Sequence, residues 1–179
     1  MMPRAILISV GFAAAVAFSG SCSSSTVSGS PTTQSVAAVG TNFGTNFNAC
    51  TDLTDADIKS YGLNPSTKQD TTSQNGGLGQ SCDWTNENVL TSFAVGGRTI
   101  DQLKNDPRYL STTSIQIGGR ESVRIITEPA PGICGIGLPT GSASVVLSLT
   151  IKHSALPTAG DPCALVTDIA NKFVTKLPK

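Results

Sequence analysis

Charge is scarce in this chain. Charged residues make up 13% of its 179 positions, about half the share found in typical soluble domains. Basic and acidic residues are balanced at 12 each, and no basic stripe runs through the sequence. Neutralising phosphate groups requires clustered lysines and arginines, so the composition excludes a nucleic-acid partner. The same scarcity excludes attachment to anionic lipid headgroups through a polybasic patch.

Groups that carry catalysis or bind metals are also few. His153 is the only histidine, and no Gly-x-Ser-x-Gly motif accompanies it as a Ser-His-Asp triad would require. Asp52, Asp55 and Asp57 form a small acidic cluster, but they lack the regular alternation and closing Glu of a calcium loop. We therefore predict no catalytic residues, no metal site and no cofactor. A hydrolase is the least favoured functional class.

Long hydrophobic runs are missing as well. The longest apolar run, residues 5–18, has 14 residues. A membrane-spanning helix needs about 20 apolar residues, whereas the apolar segment of a secretory signal has about 7–15. One positive charge precedes this run, and Ser19-Gly20-Ser21-Cys22 follows it, as is typical of a bacterial lipoprotein signal. We predict a signal peptide over residues 1–21 and diacylglycerol on Cys22. The alternative is cleavage at a small-x-small site, which leaves Cys22 as a free thiol.

A segment without charge follows Cys22. The 29 residues from Ser23 to Thr51 contain no charged side chain and are rich in Ser, Thr, Gly and Ala. Such a composition is typical of a flexible tether, with a reach on the order of 30 Å. We therefore assign residues 22–49 to the lipidated cysteine and its tether, and residues 50–179 to one folded domain. The lipid would hold this domain at the extracytoplasmic face of the cell membrane.

The cysteine count is consistent with the predicted extracytoplasmic location. The chain has five cysteines, and lipidation of Cys22 leaves an even set for an oxidising compartment: Cys50, Cys82, Cys134 and Cys163. Four cysteines allow three pairings. We favour Cys50–Cys82 and Cys134–Cys163, because each closes a loop of about 30 residues between a helix and a nearby strand. A four-thiolate zinc site is the alternative, although no Cys-x-x-Cys pair supports it.

Apolar periodicity and turn residues predict an α+β fold. Helices are predicted at residues 54–61 and 100–105 and from Asp161-Pro162 to the C-terminal end of the sequence. Strands are predicted at residues 81–85, 89–95, 114–117, 121–128, 134–138 and 142–153. We expect an antiparallel sheet of five or six strands, with short helices and the C-terminal amphipathic helix packed on one face and two disulfides. Residues 64–80, rich in Gly, Ser, Thr and Asn, are interpreted as a mobile loop.

Three residues are candidates for ligand contact. Arg98 and Arg120 each follow a Gly-Gly pair, and if they faced one cleft they could bind a carboxylate or phosphate through their guanidinium groups. The favoured interpretation is that both Gly-Gly pairs form turns and leave the arginines in solvent. Trp84, the only tryptophan, is expected to pack over the disulfide formed by Cys82. Stacking on a ligand is the alternative for this residue.

The order of these landmarks resembles an actinobacterial family of exported lipoproteins known as domain of unknown function 3558. The resemblance covers residues 50–179. It is carried by Cys50 followed by Leu53-Thr54-Asp55-Ala56-Asp57, then Gly62-Leu63, Cys82-Asp83-Trp84, Gly119-Arg120, Cys134 and Asp161-Pro162-Cys163-Ala164. The family implies an exported address and a four-cysteine framework but no catalytic residues.

These observations together predict a non-enzymatic lipoprotein that acts by binding. Its partner would be a protein of the cell envelope, or the domain would pass a signal to a membrane sensor. A carrier is the alternative: a sheet with helices on one face can open an apolar cavity and transport a lipid or other apolar molecule. The two classes differ in whether the purified protein retains an apolar ligand.

Overall fold

The computed structural model describes residues 43–72, 79–128, 132–156 and 158–178. The predicted signal peptide, Cys22 and most of the predicted tether lie outside these residues. The helices are α1 (Ala49–Asp52), α2 (Asp55–Ser60), α3 (Ile100–Lys104) and α4 (Pro162–Phe173), with 3-10 helices at His153–Ala155 and Val174–Lys176. The strands are β1 (Asn64–Asp70), β2 (Gln80–Thr85), β3 (Val89–Gly96), β4 (Ser111–Ile117), β5 (Arg120–Ile126), β6 (Ile133–Thr140) and β7 (Ala143–Ile151). This part of the chain has the predicted α+β architecture.

The seven described strands form one antiparallel sheet in the order β1-β2-β3-β7-β6-β5-β4. The neighbours β2–β3, β4–β5 and β6–β7 are hairpins, as predicted. β3 pairs with β7 without a register shift, from Val89 opposite Ile151 to Gly96 opposite Ser144. This pairing joins the first hairpin to the last and places β1 and β4 at the two edges of the sheet.

The strand β1 corrects the predicted loop at residues 64–80. It pairs with β2, placing Gln69 opposite Asp83 and Asp70 opposite Cys82, and the register shifts between Asn64 and Gln69. Its side chains are polar and mostly exposed, because β1 lies at an edge and is held through its backbone. No apolar alternation therefore marks it in the sequence, and the sheet has seven strands instead of five or six. Residues 73–78 of the predicted loop lie outside the described residues.

The three predicted helix starts are confirmed by their capping residues. At α2 the Thr54 hydroxyl accepts the N–H of Asp57 at 3.2 Å, and the Asp57 carboxylate accepts the N–H of Thr54 at 3.1 Å. Thr99 forms the same reciprocal arrangement with Gln102 at α3. At α4 the Asp161 carboxylate accepts the N–H of Cys163 at 2.9 Å, with proline at the first helical position. The short helix α1 was not predicted.

An aromatic cluster fills the space between the sheet and α4. Phe93 of β3 lies 5.5 Å from Trp84 and 5.1 Å from Phe173 between ring centroids, both in edge-to-face geometry. Phe47 packs on Phe173 in the same way at 5.5 Å. Such pairs add stability beyond the burial of their area. Because Phe47 is buried, the core already takes in residues that precede Cys50.

The helix α3 lies on the opposite face of the sheet from α4, so the expectation of helices on one face does not extend to it. Leu103 of α3 packs on Val123 and Ile125 in a small separate cluster. A Cβ atom at Gly137 would lie 2.7 Å from Leu103 Cδ1, so the glycine permits this close approach. Val146 packs against the same cluster, which explains an apolar residue on the otherwise polar side of β7.

The four cysteines form the two favoured disulfides. Cys50 of α1 is bonded to Cys82 of β2, with Cα atoms 5.3 Å apart, and Cys134 of β6 is bonded to Cys163 of α4, with Cα atoms 5.1 Å apart. Each bridge ties a helix to a strand. Because all four thiols are oxidised, the alternative zinc site is wrong.

Candidate functional site

An open cavity of about 760 Å³ lies where two hairpin turns meet the end of α4, and we call it the hairpin cleft. β4–β5 and β6–β7 are alternate hairpins of an antiparallel sheet, so their turns lie at the same end. The residues lining the cleft are Gly118, Gly119, Arg120, Pro139, Gly141, Asn171, Val174, Thr175 and Leu177. Three separate chain segments therefore form one surface depression.

The turn between β4 and β5 shapes one wall of the cleft. Gly118 and Gly119 have φ angles of +56° and +77°, which residues with a side chain rarely adopt. A Cβ atom at Gly118 would lie 2.6 Å from Cγ1 of Val174, so this position also requires the absence of a side chain. The predicted turn at these glycines is confirmed, and it brings the backbone against the end of the C-terminal helix.

Among the described residues that line the hairpin cleft, Arg120 is the only charged one. Its Nη1 donates to the carbonyl oxygens of Pro139 at 3.2 Å and Pro178 at 2.6 Å, and its Nη2 donates to that of Leu177 at 2.9 Å. These carbonyl groups carry no formal charge, and no carboxylate of the described residues lies within 4.0 Å of the guanidinium. Arg120 therefore fastens the C-terminal segment to both hairpins and places a guanidinium group at the cleft.

Arg98 serves a different contact and does not line the hairpin cleft. Its guanidinium pairs with the Asp106 carboxylate, donates to the Tyr109 hydroxyl at 3.1 Å and lies 5.8 Å from the centre of the Tyr109 ring. Hydrogen bonds from Arg108, and the charges of Arg108 and Arg98, hold the pKa of the Asp106 carboxyl well below its usual range. This carboxylate is therefore charged throughout the physiological range. The structure thus engages Arg98 in a local ion pair and does not bring it together with Arg120.

Trp84 lies inside the core. Its residue surface is 1% exposed, and it belongs to the hydrophobic cluster that also contains Cys50 and Cys82. One side of the indole packs edge-to-face on Phe93. A ligand at the surface would therefore find almost no indole area to contact.

A second cavity, of about 390 Å³, lies between α2, the β2–β3 turn and α4. Its lining is mixed, with Leu149 and Ile169 beside the charged residues Lys59, Asp168 and Lys172. The Nζ atom of Lys172 already donates to a backbone carbonyl of α2 at 2.8 Å. Burial raises the pKa of the adjacent Tyr61 to about 12, so its hydroxyl stays protonated and neutral. The hairpin cleft is larger, at about 760 Å³ against about 390 Å³.

A third cavity, of about 350 Å³, shares Arg120, Pro139 and Gly141 with the hairpin cleft. The described residues show neither a metal centre nor a membrane-spanning helix. Within them, no three His, Cys, Asp or Glu side chains are grouped so that they could hold a metal ion. No helix in this part of the chain has both the length and the apolar character to cross a bilayer. His153, the single histidine, is exposed at the start of a 3-10 helix.

Comparison with protein families adds one result. The model of a family described as protein of unknown function, DUF3558, matches residues 16–176, which is most of the chain. The chain belongs to the DUF3558 family. No curated protein and no solved structure matches it.

Membership of DUF3558 confirms the family suggested by the cysteine landmarks. The matched span begins within the apolar run assigned to the signal peptide and includes Cys22 and every lining residue of the hairpin cleft except Leu177. The family description states no activity, so the chemistry of this DUF3558 domain must be argued from its own residues.

Sequence reasoning identified Arg120 and the Gly118-Gly119 turn of the cleft but not its polar lining residues on the C-terminal helical segment. Arg120 is a sequence candidate, but its proposed companion Arg98 lies elsewhere, and the described lining of the cleft contains one cation. Pro139, Asn171 and Thr175 carried no signal, because a proline near the end of a strand and polar residues on exposed helical turns are ordinary features of a folded domain. Only the Gly118-Gly119 pair pointed to the turn that forms the cleft wall.

Proposed function

We propose that the chain is a non-enzymatic binding module of the cell envelope, anchored by diacylglycerol at Cys22 on the extracytoplasmic face of the cell membrane. In this proposal the hairpin cleft receives a segment of an envelope protein. The single positive charge of Arg120 suits a segment that presents a carboxylate beside apolar side chains. Pro139, which lines the cleft and is half-buried, supplies apolar surface for the contact, whereas Val174 and Leu177 are almost fully buried in the cleft wall.

One observation favours a binding module over a carrier. The space between the sheet and α4 is filled by close aromatic packing, with Phe93 and Phe173 fully buried and in edge-to-face contact. A carrier needs an apolar cavity in that position, whereas the hairpin cleft lies open at the surface. An open surface cleft with an arginine in its wall can receive an extended segment of a protein partner.

Photo-crosslinking in intact membranes tests this function. A photoreactive residue in place of Thr175, which is exposed and lines the cleft, is expected to trap a specific protein adduct. The same replacement at Ala164 is the matched control, because Ala164 is exposed on α4, which leads directly into the 3-10 helix of Thr175, but lies outside the cleft. Mass spectrometry of the adduct identifies the partner.

Two results would contradict the binding function. Equal labelling from positions 175 and 164 would mean that the cleft has no particular partner. A heterogeneous apolar adduct retained by the full-length protein in native mass spectrometry would identify the protein as a carrier.

The anchor has its own test. The variant Cys22→Ala is expected to move most of the protein from the membrane fraction to the soluble extracytoplasmic fraction, because no thiol is present to which diacylglycerol could be attached. Cell fractionation with immunoblotting measures the shift. Ser21→Ala is the control, since it keeps a small residue before Cys22 and is expected to leave the protein on the membrane. If Cys22→Ala stays membrane-bound to the same extent, the lipid anchor is wrong.

A further inference from the structure

The two edges of the sheet differ in how they are protected. β1 carries the devices that prevent a strand from pairing with a further chain: Pro65 within the strand, charged side chains at Lys68 and Asp70, and a shift of register before Gln69. A proline and a bulge interrupt the row of backbone donors, and the charges oppose close approach. β1 is therefore a blocked edge.

β4 is an open edge. Its sequence Ser-Thr-Thr-Ser-Ile-Gln-Ile contains no charge and no proline and is rich in β-branched residues. It pairs with β5 through seven consecutive residues without a shift, from Ser111 opposite Ile126 to Ile117 opposite Arg120. A regular, uncharged edge of this kind offers its free backbone groups to a further strand.

The β4–β5 turn determines which backbone groups are free. A two-residue turn makes the flanking residues Ile117 and Arg120 a hydrogen-bonded pair, so alternate residues of β4 turn their N–H and C=O groups away from β5. These outward residues are Thr112, Ser114 and Gln116. Ser114 and Gln116 are exposed, and Thr112 is half-buried.

Leu110 provides a second, independent sign at the same edge. It is 61% exposed and is the only large hydrophobic residue of the described part of the chain that is exposed. It directly precedes β4, and its N–H donates to the carbonyl of Ile126 at 2.8 Å, so its backbone is held beside the strand. A single exposed leucine is ordinary on a protein surface, but beside an open edge strand it adds apolar area to a strand-pairing contact.

We infer that β4 pairs with β4 of a second copy of this chain, antiparallel and about a two-fold axis at Ser114. In this register Ser114 exchanges two backbone hydrogen bonds with Ser114 of the second copy. Thr112 exchanges two with Gln116 of the second copy, and Gln116 two with its Thr112. The two sheets become one continuous sheet, and every outward donor and acceptor of the edge has a partner.

Two features favour a second copy as the occupant. β4 has no charge, so two identical edges meet without like-charge repulsion, which identical charged edges could not do. The register also places Leu110 across from the Gly118-Gly119 turn of the second copy, where no side chain opposes it. This inference goes beyond the binding function proposed above, and its experiments measure oligomeric state, so either proposal can fail without the other.

Disulfide trapping in cells tests the register. In the full-length protein, Ser114→Cys places two thiols at the axis with Cα atoms about 5.5 Å apart, within the span of a disulfide. Gln116→Cys is the matched control, because the two Gln116 positions would lie roughly 14 Å apart in the same dimer. We expect a covalent dimer on a non-reducing gel from Ser114→Cys and monomer from Gln116→Cys. Monomer from both variants, or equal dimer from both, would overturn the inference.

Sedimentation equilibrium of the full-length protein in density-matched detergent tests the edge itself. The wild type is expected to self-associate, and Ser114→Lys is expected to weaken association at least about tenfold, since it places two like charges at the axis. Gln69→Lys makes the same change on the blocked edge and is expected to leave association unaltered. Ser114→Pro removes the outward N–H and is expected to act like Ser114→Lys. A monomeric wild type, or a dimer insensitive to both Ser114 variants, would contradict pairing through β4.

Discussion

Replacing Cys134 and Cys163 together by alanine is expected to lower the free energy of unfolding by about 3–4 kcal/mol. The bridge closes a loop with a sequence separation of 29 residues, and without it the unfolded chain gains the conformational freedom of that loop. Alanine avoids placing an unpaired hydroxyl at Cys134, which is completely buried. Urea unfolding followed by circular dichroism measures the change.

The second bridge provides the comparison for this experiment. Cys50–Cys82 has a similar separation, 32 residues, so its removal by alanine is expected to cost a similar amount. Reduction of the wild type is expected to cost more than either pair alone, because both loops are released. A loss below about 1 kcal/mol for the Cys134 and Cys163 pair would show that the unfolded chain is already compact around this loop.

The sequence predicted those parts of the fold that depend on neighbours along the chain. Thr54 with Asp57, and Asp161 with Pro162, mark helix starts through contacts within one turn. The alternation of Val145, Leu147 and Leu149 marks a strand with one face in the core. The disulfide pairing followed from loop length and from the helix and strand that each loop joins. All of these signals are local or depend only on separation along the chain.

Features that depend on the position of a strand or helix within the sheet could not be predicted from local sequence patterns. β1 reads as a loop because an edge strand is held by backbone hydrogen bonds, which leave no pattern in its side chains. The opposite placement of α3 depends on Gly137 beneath Leu103, a contact between residues far apart in sequence. Strand order likewise requires the long-range pairing of β3 with β7.

The hairpin cleft illustrates the same limit for function. Arg120 donates to the carbonyl of Leu177, 57 residues away. Because of this contact, an arginine next to a turn becomes part of a cleft. Arg98, in an equivalent Gly-Gly-Arg sequence, has Asp106 nearby and forms an ion pair instead. Identical tripeptides therefore acquire different roles, because their tertiary partners differ.

Phe93→Ala is expected to destabilise the domain by about 3–5 kcal/mol, the range for removing a fully buried phenylalanine. Phe93 is completely buried and contacts Trp84 and Phe173 edge-to-face, with Tyr61 stacked at 6.1 Å, so its removal leaves a cavity lined by three rings. Those rings are held by the sheet, by α4 and by the end of α2, and they cannot all close the space. Thermal or urea unfolding measures the loss.

Two variants separate cavity formation from the general loss of an aromatic residue. Phe93→Leu keeps much of the volume and is expected to cost markedly less than Phe93→Ala. Phe43→Ala makes the same chemical change at a half-buried position and is expected to cost about 1 kcal/mol or less. If Phe93→Ala cost no more than Phe43→Ala, the aromatic cluster would be loosely packed and able to admit a guest. The argument that a filled core favours a binding module over a carrier would then fail as well, so this stability measurement also bears on function.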